Sequence, residues 1–395
     1  MHNLAKIKSF RILLRITYPL AVLFVYPLVL LKKRRTARVF FFFDRYVIGG
    51  AQRVHLDILN SLAGRSKEVY FTRRSANDGF KKEFYSVPGA ACHDIHFWCD
   101  NLLLRLFSVH YYAFYLNRHR HIHVFSSNST FFYDLLPFLN PGITKTELLH
   151  NFTYGKEGME FFGLSAVHYL DHRILVDYGT FANLQKQYVE YGIPSQFLEK
   201  VQVIEPGVLV PSFVAKKSGG FLNVLYAGRG GPQKRIHLID SIATYFIGQS
   251  SPVKFHFAGT MANELSSLVK SNSVLHGEIR NPADMGALYT EAHAILMTSS
   301  YEGFPMLIKE GMAHGCVPVV TALEGNKSHL ENGRNALLIE AVEDEAAVIQ
   351  LGILQIKTLL DREWREKLSF SAWQYAGSHF SKTRFIEAYK NLLAG

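Results

Sequence analysis

Residues 38–44 read RVFFFFD, a short run that is apolar at every position between its charged ends. A half-buried strand would alternate, so an unbroken run of this length reads as a strand buried on both faces, as in parallel sheets. It is followed by RYVIGGAQRVHLDILNSL, where Gly49 and Gly50 interrupt the pattern before Val54, Ile58, Leu59 and Leu62 recur at helical spacing. Further runs at EVYFT, HIHVFSS, TELLH and HRILVD continue the series, separated by helical or loop-like stretches. That alternation is the pattern of a doubly wound α/β domain. The histidines at 119, 121 and 123 alternate along one of these strands and read as a polar strand face.

The segment KVQVIEPGVLVPSF places Pro206, Gly207 and Pro211 after a short strand and marks an interdomain connection. A second series restarts at NVLYAGRGGPQKRIHLIDSIA and runs on through VKFHFAG, NSVLHGE, AHAILMTS, CVPVVT and NALLI. Two successive Rossmann-like domains follow from this order, and 395 residues suit that number of cores. The expected boundaries are 1–37 for an N-terminal segment, 38–207 and 208–375 for the two domains, and 376–395 for a C-terminal helix returning toward the first domain.

A formal net charge of +10 raises the question of nucleic acid until the charge is mapped. Residues 1–38 hold nine Lys and Arg and no Asp or Glu, which leaves 34 basic against 33 acidic residues in the remainder. A nearly neutral body is a poor match to a phosphate backbone, so no nucleic-acid partner is expected. The same N-terminal region carries ILLRITYPLAVLFVYPLVLL, about 20 residues with one charge, the length needed to cross a hydrocarbon core. A cleaved signal peptide is disfavoured, because no small-residue cleavage site follows and the basic cluster lies on the wrong side. A span would set the body in the cytoplasm, given the cluster Lys32 to Arg35 with Arg38. An in-plane helix interrupted by Arg15, Pro19 and Pro27, resting its cations on anionic headgroups, is the alternative, beside a helix simply buried on the protein. The expectation is a membrane-associating segment, with contact through residues 9–35 at the cytoplasmic face. Cys92, Cys99 and Cys316 form no disulfide-like framework, which suits a reducing compartment. In CHDIHFWC the ligand types Cys92, His93, His96 and Cys99 gather without a second pair at zinc spacing, so the stretch reads as a strand edge and loop.

Two stretches carry chemistry. In SSYEGFPMLIKEGMAHGCVPVV, Pro305 favours a first helical turn and Gly315 its end, which predicts a helix from about Pro305 to His314 directly after a strand. Backbone amides at Phe304, Met306 and Leu307, with Gly303 allowing close approach, would form an anion site fit for a diphosphate. Glu302 before the helix and Glu310 within it could each accept hydrogen bonds from a hydroxyl pair, one on the transferred sugar and one on a ribose. The second stretch, GRGGPQK after the strand NVLY, puts Arg229 and Lys234 on a glycine loop, where two cations could neutralise a departing diphosphate without a metal. It lacks the spacing and Lys-Ser/Thr ending of a Walker loop.

In this joint order the sequence resembles the retaining glycosyltransferases of the GT-B fold, family 4 in particular, over roughly residues 38 to 395. Glu302 and Glu310 match the family's Glu, seven residues, Glu signature, Arg229 and Lys234 its phosphate-binding pair, and Gly49 and Gly50 its first-domain glycine turn. His150 in TELLHNF stands where the family has a histidine facing the donor sugar. Ile279 in HGEIRNPADMGALY falls in the region that holds the nucleobase. The sequence departs from the family at Glu205-Pro206, which replaces Pro-Asn, and at EGNKSHL, where Ser328 or His329 stands in place of a Gly-Gly then Glu pattern.

The resemblance implies two Rossmann-like domains facing across a cleft. It implies a nucleotide-sugar donor and transfer with retention of configuration to a glycan or lipid-linked acceptor, with no cofactor and no metal. Two other readings share the donor site: a nucleotide-sugar epimerase or hydrolase, and an idle subunit tethering a partner at the membrane.

Overall fold

The structure is a computed structural model that describes residues 2–150, 152, 158–216, 220–279 and 281–394, without the side chains of residues 2–8. Asn151 and Arg280, each part of a motif quoted above, lie outside the described residues. The chain divides into two compact units, Met1–Glu205 with Ile386–Gly395, and Pro206–Phe385.

The first unit holds β1 (Val39–Phe43), β2 (Lys67–Phe71), β3 (Ala90–Asp94), β4 (His123–Ser127), β5 (Thr144–Leu149), β6 (His172–Leu175) and β7 (Val201–Val203). They form one sheet in the order β3-β2-β1-β4-β5-β6-β7, parallel at every pairing. The four phenylalanines of β1 are fully buried. Phe40 and Phe42 join the core beneath the helix Leu102–Asn117, while Phe43 stacks 4.1 Å from His55 on the opposite face. The unbroken apolar run thus serves two layers of helices, which is what a parallel sheet demands.

The second unit holds β8 (Leu222–Gly228), β9 (Val253–Gly259), β10 (Val274–Gly277), β11 (Ala294–Met297), β12 (Val317–Thr321) and β13 (Leu337–Ile339). Their order is β10-β9-β8-β11-β12-β13, again all parallel. A boundary at residue 375 would cut the helix Arg362–His379, which packs on the helix Met306–Ala313 and donates from Ser369 Oγ to the Gly315 carbonyl at 2.6 Å. The second unit instead runs to Phe385, closed by a bridge between Val208 and Ser381. The last helix, Lys382–Leu392, brings Tyr389 to 6.1 Å from Phe125 of β4, and the tyrosine is fully buried.

The N-terminal segment is part of the first unit. It forms α1 (His2–Phe24) and α2 (Tyr26–Leu31), which bury Leu14, Ala21, Val25 and Val29 in the core beside the helix Leu102–Asn117. Arg11 donates to Ser165 Oγ at 2.7 Å, Arg118 donates to the Lys32 carbonyl at 2.9 Å, and the Lys32 ammonium lies 4.0 Å from the Tyr115 ring. No described helix is long and apolar enough to cross a membrane.

Two local expectations need correcting. His119 and His121 precede β4 in a turn, with His121 at φ +53°, so they do not alternate along a strand. His123 opens β4 and is buried, its Nε2 2.6 Å from Thr146 Oγ1. In CHDIHFWC, β3 is the sheet's edge as expected, with His93 facing the buried Glu68 at 3.4 Å, but the expected loop after it is a short helix, His96–Asp100.

Burial, with the nearby His172, pushes His123 down to about 4. The unfolded side chain takes up its proton near pH 6.5 while the folded one does not, so stability falls as pH drops from about 6.5 toward 4. Each such histidine contributes up to about 1.4 kcal/mol per pH unit in that window. Urea unfolding of wild type should weaken across it, with a shallower slope in His123→Gln. Parallel slopes would refute the assignment.

Candidate active site

In each sheet the strand order reverses direction once, between β1 and β4 and between β8 and β11. Loops that leave neighbouring carboxyl ends at such a point diverge and open a crevice. In the second unit those loops are residues 229–235 and 298–305, which carry Arg229, Lys234 and Glu302 of the two stretches singled out in the sequence.

The two loops are laced together. Gln233 Nε2 donates to the Tyr301 carbonyl at 2.8 Å, and Ser300 N–H donates to the Gln233 carbonyl at 2.9 Å. The Arg235 guanidinium donates to the carbonyls of Thr298 and Ser299 at 2.6 and 3.1 Å. Gly231 takes φ +121°, a left-handed conformation that a side chain would oppose, and its N–H donates to Glu264 at 2.8 Å. This lacing sets the Lys234 ammonium in an ion pair with the Glu302 carboxylate, both partly buried. Arg229 stands exposed at the end of β8, its carbonyl held by the Tyr226 hydroxyl at 2.7 Å. The structure therefore joins Lys234 to Glu302 directly and leaves the Arg229 side chain on the rim.

The predicted helix runs from Met306 to Ala313, with Pro305 as its cap rather than its first residue, because Pro305 keeps an extended ψ of 137°. Met306 and Leu307 occupy the first turn, where a helix has no carbonyl of its own to offer their N–H groups. Phe304 is held from behind by His329 at 4.5 Å, by Phe380 at 5.3 Å and by the Lys309 ammonium at 5.4 Å. That assigns His329 to the support of the loop. Ser328 donates to the Gly325 carbonyl within its own turn at 2.7 Å. Glu310, one turn into the helix, accepts from the Tyr289 hydroxyl at 2.7 Å. Ile279 packs against the same core as Phe304, Met306 and Leu307.

In the first unit, Gly49 and Gly50 lie where α3 (Gly50–Ser61) starts after β1, and His150 follows β5. His150 Nε2 is 3.0 Å from His55 Nε2, and His55 is fully buried against Phe43. Burial pushes His150 to about 4 and His55 well below the usual imidazole range. Both rings are therefore neutral near pH 7, and one must donate to the other. His55 was missed in the sequence, although it shares the apolar helical face of Ile58, Leu59 and Leu62 and so announces a buried polar group there.

Residues 222–354, the part of the second unit that holds this loop pair, match the family model described as Glycosyl transferases group 1. The chain is a glycosyltransferase. No curated protein sequence matches it. Solved structures do match it along nearly its whole length. Anabaena Alr3699/HepE in complex with UDP is 15% identical with a TM-score of 0.69, over 90% of this chain and 99% of that one. A glycosyltransferase from Rickettsia africae is 15% identical with a TM-score of 0.70, over 91% and 99%. The lipopolysaccharide outer core galactosyltransferase WaaB is 15% identical with a TM-score of 0.65, over 89% and 98%. At such identities the likeness is one of fold, and that fold is GT-B.

The glycosyltransferase loop carrying Glu302 is held by a close approach. A Cβ on Gly325 would fall 1.8 Å from the Gly303 carbonyl oxygen and 3.0 Å from that of Glu302. Gly325→Ala should therefore displace the loop and cost about 1–3 kcal/mol in urea unfolding. Wild-type stability in that variant would mean that the loop yields freely.

Proposed function

We propose that this glycosyltransferase takes a nucleoside diphosphate sugar of the UDP or GDP class. In this reading it transfers the sugar with retention to a glycan acceptor carried on a lipid, as a family 4 enzyme working at the cytoplasmic face of a membrane. The observation that carries the donor assignment is the Lys234–Glu302 pair, fixed between two laced loops beside the first turn of the Met306 helix. A diphosphate arriving there would take the Lys234 cation and the Met306 and Leu307 amides, freeing Glu302 to accept from sugar hydroxyls. Arg229 on the rim adds a second cation, and Glu310 is assigned to the ribose.

In the reaction, the bond from the anomeric carbon to the diphosphate oxygen breaks and a bond to the acceptor oxygen forms on the same face of the sugar. The acceptor proton passes to the departing phosphate, so no protein nucleophile enters. The protein's share is positioning and neutralisation of the leaving charge, assigned to Arg229, Lys234 and the helix amides without a metal. His150, neutral near pH 7, serves as a hydrogen-bonding partner for the transferred sugar rather than as an acid.

Membrane contact is supported by α1 and α2. Leu14, Ala21, Val25 and Val29 form a narrow inward stripe, while Ile16, Leu20, Leu23, Phe24 and Leu28 are exposed on the other faces. A helix apolar all round needs a second apolar environment, and the adjoining Lys33, Arg34 and Arg38 are exposed cations suited to anionic headgroups. Deleting the segment would strip the core, so the clean variant replaces Leu20, Leu23 and Phe24 by Ser. Wild type should cosediment with vesicles containing phosphatidylglycerol and the variant should not. Equal cosedimentation would exclude this face.

The donor assignment is tested by thermal unfolding with UDP, GDP, dTDP and CMP, beside Glu310→Ala. One nucleotide should raise Tm by mass action, and the variant should lose the shift. Lys234→Ala should lower kcat by about 10²- to 10³-fold with Tm nearly unchanged. Wild-type turnover in that variant would remove Lys234 from the mechanism.

A further inference from the structure

The first unit contains a cavity of about 270 Å³, away from the His55–His150 pair, whose walls combine three arginines with apolar side chains. Arg11 comes from α1, Arg105 from the helix Leu102–Asn117, and Arg73 from the carboxyl end of β2, where its N–H is held by the Asp44 carbonyl at 2.9 Å. Asp134 is the one acidic residue in the lining. It takes two of the three cations, with Arg105 Nη2 at 2.7 Å and Arg11 Nε at 3.7 Å. Arg105 also donates to Thr130 Oγ1 at 3.2 Å and Arg11 to Ser165 Oγ at 2.7 Å, so both guanidinium groups are held in place before any ligand arrives. The Nε of Arg11 is buried without a hydrogen-bond partner in the described structure. One carboxylate against three guanidinium groups leaves an excess of two positive charges in a partly enclosed space, and such forks match phosphate oxygens.

The remaining walls set the rest of the ligand. Phe10, Leu102 and Phe162 make the cavity apolar between its cations, and the rim continues into exposed apolar residues, Leu102 at 61% and Leu103 at 75% accessibility. A free hydrophilic anion would leave those walls unused. We infer that this cavity binds the phosphate or diphosphate head of an amphiphile, with Arg11, Arg73 and Arg105 on the phosphate and the hydrocarbon leaving over Phe10 and Leu102. On the reading proposed above, the amphiphile is the lipid-borne acceptor. The site also continues the apolar face of α1, since Phe10 and Arg11 lie on that helix just before the exposed Ile12 and Ile16.

The test is calorimetric titration of the full chain with farnesyl diphosphate, inorganic pyrophosphate, farnesol and UDP. Farnesyl diphosphate should bind, with pyrophosphate and farnesol each at least about tenfold weaker, because each lacks half of the recognition. Arg73 is exposed, so Arg73→Gln should keep the wild-type Tm and the Tm shift given by the nucleotide. Its affinity for farnesyl diphosphate should drop by about tenfold or more, with partial recovery in Arg73→Lys. Unchanged affinity in Arg73→Gln overturns the assignment. So does pyrophosphate binding as tightly as farnesyl diphosphate, which would mark a free-phosphate site, and so does displacement of farnesyl diphosphate by UDP. If Arg73→Gln loses farnesyl diphosphate while no nucleotide shifts Tm and no nucleotide sugar is turned over, the cavity stands and the transferase reading fails by itself.

Discussion

Parallel pairing is the constraint from which the rest follows. A parallel strand cannot return by a hairpin, so each of the ladders in both sheets obliges the chain to cross a face of the sheet before the next strand. The crossovers cover both faces, which is why β1 can be phenylalanine at four positions running. They also sort the loops, sending those that follow strands to one edge, where the amides of the next helix point outward. Once the order reverses, at β1/β4 and at β8/β11, two such loops part. In the second unit that parting is bridged by side chains as well as by the backbone bond from Ser300 to Gln233. Gln233 and Arg235 bind carbonyls on the loop after β11, and Lys234 between them meets Glu302. The charged pair is thus a product of the topology plus three neighbouring residues whose directions are fixed by the left-handed turns at Gly231 and Arg235.

This explains what could be read from the sequence and what could not. Short apolar runs gave away the strands, and Gly, Pro and Glu around Met306 gave away the helix start, because these are local signals. The lacing was hidden, since Arg235 and Thr298 are 63 positions apart and each looks like an ordinary loop residue. HIHVFSS was overextended for a local reason: the left-handed His121 ends the turn, and only His123 onward can pair. His55 was hidden by its company, a polar residue on an apolar helical face that periodicity alone treats as noise. In the N-terminal run, length and hydropathy suggested a span, whereas the structure uses the spacing of Leu14, Ala21, Val25 and Val29, which recur at intervals of one or two helical turns.

At the buried ionisable groups, burial competes with local partners. Histidines whose burial outweighs any nearby carboxylate lose their charge, as at His55, His123 and His150. Glu68, enclosed with several donors, keeps it. Burial alone would raise Glu68, but hydrogen bonds from His93, Tyr70 and Tyr115, with the Arg35 charge at 3.9 Å, hold it at about 2. Arg173 and Glu147, 2.8 Å apart and nearly inaccessible, are the same solution inside the sheet. Their desolvation is tolerable only as a pair.

The same competition bears on the basic N-terminus. Its cations are not equivalent, because some already have partners within the first unit. Arg35 leans on Glu68, Lys32 lies over the Tyr115 ring, and Arg11 is shared between Ser165 and Asp134. These three tie the segment to the domain, and the deletion of charge from any of them would act on folding before it acted on a ligand. Lys33, Arg34 and Arg38 are exposed. The apolar residues divide in the same way, with Leu14, Ala21, Val25 and Val29 spent on the core and many of the others facing outward. A segment built only for packing would be polar on its outer faces, and one built only for crossing a bilayer would not spend arginines on the domain beneath it. Division of both charge and apolar surface between the domain and the exterior is the feature on which the proposed membrane contact rests.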